Sequence, residues 1–150
     1  MPIGDICVRD VVVTGQDTTA REAAKLMTKH HVGNLVVVQE ESGGRIVPIG
    51  IITDRDIVRN VVAEALDPAT FTLSDLGARE LVTAREDQGI FECMQHMCMN
   101  GIRRMPVVDL QGGLVGIISL DDLIQLLAEE MGELATLIAR EQMCEAEIGR

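Results

Sequence analysis

The chain has no tryptophan and no tyrosine, and only two phenylalanines, Phe71 and Phe91. It cannot build the rows of aromatic rings on which single-stranded nucleic acid stacks, and its core has to be filled by Val, Ile, Leu, Met and Ala. Positive charge is scarce too: Lys and Arg total 13 against 24 Asp and Glu, a net charge of −11. Such a chain repels a phosphate backbone unless a basic patch is concentrated locally, so nucleic acid is not an expected partner. No apolar run approaches the roughly 18 to 20 residues that span a bilayer, and Met1 to Asp10 show no basic stretch followed by an apolar one. The expectation is a cytoplasmic chain with no membrane partner. Cys7, Cys93, Cys98 and Cys144 lack the spacing of a disulfide framework and are expected to be buried thiols.

What is present is a globular composition, 47% hydrophobic and 25% charged over 150 residues, enough for one good core or two small ones. The chain also repeats itself. A shift of 70 pairs Asp5 with Asp75, Arg9 with Arg79, Val12 with Val82, Ala23 with Cys93, Met27 with Met97, and Val37-Val38 with Val107-Val108. The first copy then carries four extra residues in the polar stretch Gln39 to Arg45, and a shift of 66 pairs Gly50-Ile51-Ile52-Thr53 with Gly116-Ile117-Ile118-Ser119 and Asp56 with Asp122. The slip falls in a turn between apolar runs, where a duplication tolerates it.

Each copy runs through the same patterns. A β-branched stretch, Val11 to Thr14 or Leu81 to Thr83, comes first. Ala20, Ala23, Ala24 and Met27, like Ile90, Cys93, Met94 and Met97, then fall at i, i+3, i+4, i+7 and predict a helix. Leu35 to Val38 with Ile46 to Ile52, and Met105 to Val108 with Leu114 to Ile118, predict hairpins of buried strands across turns holding Gly43-Gly44 and Gly112-Gly113. A second helix starts near Asp54 and Leu120. The expected architecture is α+β: two β-α-β-β-α repeats, residues 1-66 and 67-127, related by a pseudo-twofold axis, with an added C-terminal helix over 128-150. In that helix Leu134, Leu137, Ile138 and Met143 form a stripe that either caps the domain or meets another chain.

The segments Gly50-Ile51-Ile52-Thr53-Asp54-Arg55-Asp56-Ile57 and Gly116-Ile117-Ile118-Ser119-Leu120-Asp121-Asp122-Leu123 resemble the signature of CBS (cystathionine beta-synthase) domains, as does Val107-Val108-Asp109 after Met105-Pro106. The resemblance covers about residues 3 to 127 and implies a tandem CBS pair of the stand-alone bacterial or archaeal kind. It implies a regulatory module, not an enzyme, that binds AMP, ADP or ATP in the clefts between the repeats. S-adenosylmethionine is a further ligand it admits. No cofactor is required, a homodimer is implied, and output runs through a change in conformation, in assembly or in contact with a protein partner.

By that resemblance Thr53 with Asp56 and Ser119 with Asp122 bind ribose, the carboxylate accepting from the two hydroxyls. Arg55, Arg103, Arg104 and His31 are the phosphate-binding candidates. Val13, Thr14, Val82, Thr83 and Ile118 are the candidates for the adenine pocket. In the first copy Gly33 and Asn34 stand where the second has Arg103 and Arg104, so the two sites should differ in affinity. A plainer reading stays open: Ser or Thr followed three residues later by an acid at a helix start is close to a capping box. The chain would then be an interaction or oligomerisation module without a nucleotide. Cys93, His96 and Cys98 match no zinc spacing, since Cys98 leaves the helical face the other two share. No nucleophile, base and orienter can be assembled into a catalytic set.

Overall fold

Ala20, Ala23 and Met27 are buried on one face of α1 (Ala20–His30), and Cys93 and Met97 on one face of α3 (Ile90–Asn100), as their spacing predicts. The structure is a computed structural model that describes residues 1–76 and 80–149. Arg79 of the repeat and the last residue of the C-terminal stretch lie outside them. The remaining elements are β1 (Val13–Gly15), β2 (Asn34–Glu40), β3 (Ile46–Thr53), α2 (Asp54–Ile57), β4 (Ala84–Arg85), β5 (Arg104–Val108), β6 (Leu114–Ser119) and α4 (Leu120–Ile148). The fold is of α+β class, two β-α-β-β-α repeats followed by a C-terminal helix, as expected.

The strands form two three-stranded sheets, β1-β2-β3 and β4-β5-β6, with the first pair of each parallel and the second antiparallel. The duplication extends to irregularities. In the first hairpin the register jumps between Val37 and Val38, and in the second between Val107 and Val108. Both bulges sit at the same place in the repeat, which a bulge inherited by duplication explains.

Neither sheet closes its core from its own copy. Ile3 and Cys7, at the head of the first copy, are buried with Ala84, Cys93, Met97, Met105 and Ile118 of the second. Leu73, at the head of the second, is buried with Ala23, Met27, Leu35 and Ile52 of the first. The backbone bonds of the exchange match under the 70-residue shift. Ile3 N–H donates to Gln88 O and Gly4 N–H to Glu86 O, both at 2.8 Å, while Leu73 N–H donates to Thr18 O at 2.9 Å and Ser74 N–H to Gln16 O at 3.0 Å.

This exchange explains two departures from the sequence reading. The strands expected over Val11 to Thr14 and Leu81 to Thr83 start later, at Val13 and Ala84, because the preceding residues must leave the sheet to reach the other repeat. The second helices also differ. α2 runs on only as a π-type turn through Val62, whereas α4 is one helix of 29 residues with no break between repeat and extension. Every described residue of α4 from 128 onward is exposed, so the C-terminal stripe does not cap the domain.

The crossing stretch of the first copy lies directly on β6, with Val8 and Ile117 exchanging N–H···O bonds of 2.9 Å. A Cβ at Gly116 would stand 2.6 Å from Cys7 Sγ and 2.9 Å from Val8 O, while at Gly50 its nearest neighbour would be Val37 Cβ at 3.8 Å. Gly116→Ala is therefore expected to cost about 1–3 kcal/mol through overpacking. Gly50→Ala, its repeat counterpart, should be close to neutral. Urea unfolding followed by circular dichroism checks the contrast, and equal effects would mean that the segment over β6 is loosely held.

Candidate functional site

Thr53 ends β3 and Ser119 ends β6, each with extended backbone, and a helix begins at the next residue. In the first copy Thr53 N–H and the Thr53 hydroxyl both donate to Asp56 Oδ2, at 2.9 and 3.0 Å, and Asp56 N–H donates back to Thr53 Oγ1 at 3.2 Å. In the second copy the corresponding Ser119–Asp122 distances are 2.8, 2.6 and 3.2 Å. Capping is thus realised in both copies. Thr19 and Glu22 make the same box at the start of α1, so the box alone marks no site. What distinguishes Thr53–Asp56 and Ser119–Asp122 is that each opens onto a cleft.

The first cleft has a volume of about 700 Å³. Thr53 and Asp56 border it from the first repeat; Glu80, Leu81, Val82, Ile102, Arg103 and Arg104 border it from the second. The second cleft, about 240 Å³, inverts this plan: Ser119 and Asp122 come from the second repeat and Asp10, Val11, Val12, Val32 and Asn34 from the first. Each of these residues is the repeat partner of one in the first cleft. The clefts are pseudo-twofold images of one another, and each is assembled from the helix start of one copy and the crossing stretch of the other.

The symmetry breaks in charge. Arg103 and Arg104 both line the first cleft, and Arg104 also reaches the second. Arg104 Nη1 donates to Asn34 Oδ1 at 2.9 Å. These two residues are equivalents under the 70-residue shift, so their bond spans the pseudo-twofold axis and holds the two β2-type strands together at its centre. Arg103 Nη2 lies 3.6 Å from Asp121 Oδ1 in the first turn of α4. The second cleft is bordered by Asp10, Asp121 and Asp122, with Arg104 its one bordering cation among the described residues.

The sequence-derived residues divide accordingly. The four ribose candidates, Arg103, Arg104 and Val82 border a cleft. Val13, Thr14, Thr83 and Ile118 border neither. Thr14 is buried with its hydroxyl 2.7 Å from that of Thr18, and Ile118 is wholly buried in the second core. Their neighbours Val12, Val82 and Ile117 are the cleft residues, as alternation of side chains along an extended chain requires. Arg55 is exposed on α2, and His31 is the exposed left-handed residue that ends α1, with φ 54°; neither borders a cleft. Leu81, Ile102, Val11 and Val32 were missed. Their signal was present in the repeat, which aligns Leu81 with Val11 and Ile102 with Val32, but not which copy each would face.

Among the described residues no group of three or more His, Cys, Asp or Glu is gathered so as to hold a metal ion. Nor is any helix among them long and apolar enough to cross a membrane.

A family model described as CBS domain matches the chain twice, over residues 3–63 and 73–129. The CBS domain-containing protein YhcV of Bacillus subtilis is 34% identical over 94% of this chain and 97% of its own length. The uncharacterized protein MK0525 of Methanopyrus kandleri is 36% identical over 83% of this chain, which spans only 61% of that relative. Among solved structures, the CBS domain pair of protein MJ0100, in complex with 5′-methylthioadenosine and S-adenosyl-L-methionine, is similar with a TM-score of 0.71 at 26% identity, covering 87% of this chain and 98% of that one.

The cysteines depart from expectation by half: Cys7 and Cys93 are buried, but Cys98 and Cys144 are exposed, and all four are free thiols. Burial pushes the Cys93 thiol up to about 11, with the carboxylate of Glu92 adding to the shift. Cys7 is raised in the same direction by burial, against the opposing charge of Arg9. The unfolded chain gives up these protons near pH 8.5, while the folded chain keeps them to higher pH. Stability is therefore expected to be level below about pH 8 and to fall by about 2–3 kcal/mol as pH rises toward 11. Urea titrations across that range test this; Cys93→Ala should flatten most of the slope, and an unchanged slope would assign it to other groups.

Proposed function

The chain belongs to the CBS-domain family, and from that premise we propose that it is a regulatory, non-catalytic module whose first cleft binds an adenosine nucleotide, AMP, ADP or ATP. The observation that carries this reading is that Thr53–Asp56 and Arg103–Arg104, roughly fifty positions apart in sequence, face one another across a single cleft. The Asp56 carboxylate is suited to accept from a ribose diol and the two guanidiniums to hold phosphate oxygens. Leu81, Val82 and Ile102 supply apolar surface for a base. A volume of about 700 Å³ lies within the range of small-molecule sites. The adenosine moiety common to both ligands of the MJ0100 domain pair supports the same ligand class.

The second cleft suits phosphate poorly. At about 240 Å³ it falls below the roughly 300 Å³ at which small-molecule pockets begin, and three aspartates border it. We therefore expect one phosphorylated nucleotide per chain; a phosphate-free adenosine compound such as S-adenosylmethionine meets less repulsion there. In the first cleft the ligand contacts both repeats, so it stabilises the arrangement in which Asp56 and the arginines face one another, and shifts the protein toward it by its differential affinity. Output then runs through conformation or assembly.

The reciprocal capping bonds made in both boxes favour a second reading, an interaction module in which Asp56 and Asp122 act only as caps. Thermal unfolding, followed by circular dichroism because tryptophan is absent, separates the two. A nucleotide at a hundred times its dissociation constant should add about 2.7 kcal/mol, and titration calorimetry should give one site per chain. Asp56→Ala and Asp122→Ala should each lower basal stability by about 0.5–2 kcal/mol through loss of the cap. Only Asp56→Ala should abolish the nucleotide response. Arg103→Ala with Arg104→Ala should remove the preference for AMP over adenosine. No response to any adenosine compound would leave the capping reading standing.

A further inference from the structure

Both guanidiniums that border the first cleft are engaged by residues on the border of the second. Arg104 Nη1 donates to Asn34 Oδ1 at 2.9 Å, and Arg103 Nη2 lies 3.6 Å from Asp121 Oδ1. The two attachments differ in kind. Arg104 is half-buried and joined to a neutral amide within hydrogen-bond distance. The Arg103 side chain is 71% exposed, and the Asp121 carboxylate lies beyond hydrogen-bond distance, so charge alone holds that pair. The backbone beneath it is fixed, because Leu120 N–H donates to Arg103 O at 2.7 Å. A fixed backbone and a lightly held side chain let the guanidinium turn between Asp121 and the first cleft. The first copy repeats the backbone bond, Asp54 N–H to Gly33 O at 3.0 Å, but not the ion pair. There Gly33 replaces Arg103, and Arg55 stands where the 66-residue shift puts Asp121.

We propose that Asp121 is a built-in competitor for Arg103, an inference that rests on the nucleotide reading of the first cleft. Asp121 borders only the second cleft and touches no ligand in the first; it acts as a positioning residue, through Arg103. The Asp121 carboxylate and the oxygens of a phosphate are alternative anions for one guanidinium. Asp121 therefore lowers the affinity of the first cleft for phosphate and leaves its affinity for the nucleoside unchanged. By linkage the effect runs both ways. A phosphate that takes Arg103 leaves the Asp121 carboxylate uncompensated on the border of the second cleft. A ligand in the second cleft that neutralises Asp121 releases Arg103 and tightens phosphate in the first.

Titration calorimetry on the full chain, with AMP and with adenosine, reads the competition. Asp121→Asn should bind AMP about fivefold tighter than the parent, the effect of removing one exposed ion pair, and adenosine equally well. Asp10→Asn takes the same charge from the border of the second cleft without releasing Arg103, and AMP affinity should stay within about twofold of the parent. In an Arg103→Ala background the gain from Asp121→Asn should vanish, as coupling through that one side chain requires. An equal gain from Asp10→Asn, or a gain that survives Arg103→Ala, would assign the effect to general charge repulsion and overturn the proposal. A parent that binds AMP while Asp121→Asn binds it no tighter overturns the proposal and leaves the nucleotide reading intact. A parent that does not bind AMP overturns both.

Discussion

Burial of Ile3 in the second repeat and of Leu73 in the first is the constraint on which the rest of the molecule depends. A single β-α-β-β-α unit of about 60 residues presents one apolar sheet face and one short helix, too little to bury a core of its own. Trading the leading segments completes both cores at once. It also forces the stretch after each segment to cross between repeats before joining its sheet. The crossing stretches become the walls of the clefts, so the same step that stabilises the fold creates the places where a ligand can sit. A cleft built this way belongs to neither repeat, and anything bound there reports on their mutual position.

Because the clefts are equivalent by topology, their differences are differences of side chain alone. Replacement of Gly33-Asn34 by Arg103-Arg104 does two things at once. It gives the first cleft both guanidiniums, and it lets Arg104 meet its own repeat counterpart, Asn34, across the axis at 2.9 Å. Two arginines at that position would repel, and two asparagines would not reach as far. The asymmetry of the site and the stability of the axis thus rest on the same substitution, and a chain selected for one obtains the other.

Much of this was legible in the residues. Self-alignment located both boxes, both hairpins and both first helices, and even the bulges follow its register. What failed was whatever depends on which copy a segment packs against. The strands start late because Val11 and Leu81 are crossing residues, and a β-branched run looks the same in a crossing stretch as in a strand. The base-pocket candidates Val13, Thr83 and Ile118 lie one position from residues that border the clefts, because alternation fixes which residues share a face but not which face is core. His31 and Arg55 are residue types that can bind phosphate, yet one ends α1 and the other is exposed on α2, and composition carries no information about direction. The continuity of α4 was hidden by the end of the repeat, although Leu120 to Ile148 contains no proline and only one glycine, Gly132, which weakens a helix without ending it.

That continuity has a mechanical consequence. The second box, Ser119–Asp122, is the N-terminus of the helix whose far end is exposed, so a change of direction at Leu120 displaces that exposed end. The first cleft touches this helix through Arg103, whose guanidinium lies between the cleft and Asp121. A phosphate that draws Arg103 inward takes it from Asp121. Both side chains are largely exposed, 71 and 75%, so the exchange is worth at most about 1 kcal/mol. A free energy of that size changes an equilibrium about fivefold, which is negligible for a tight dimer and decisive for one poised near its dissociation constant. On the proposed reading, a nucleotide therefore controls only an equilibrium that is already close to balance.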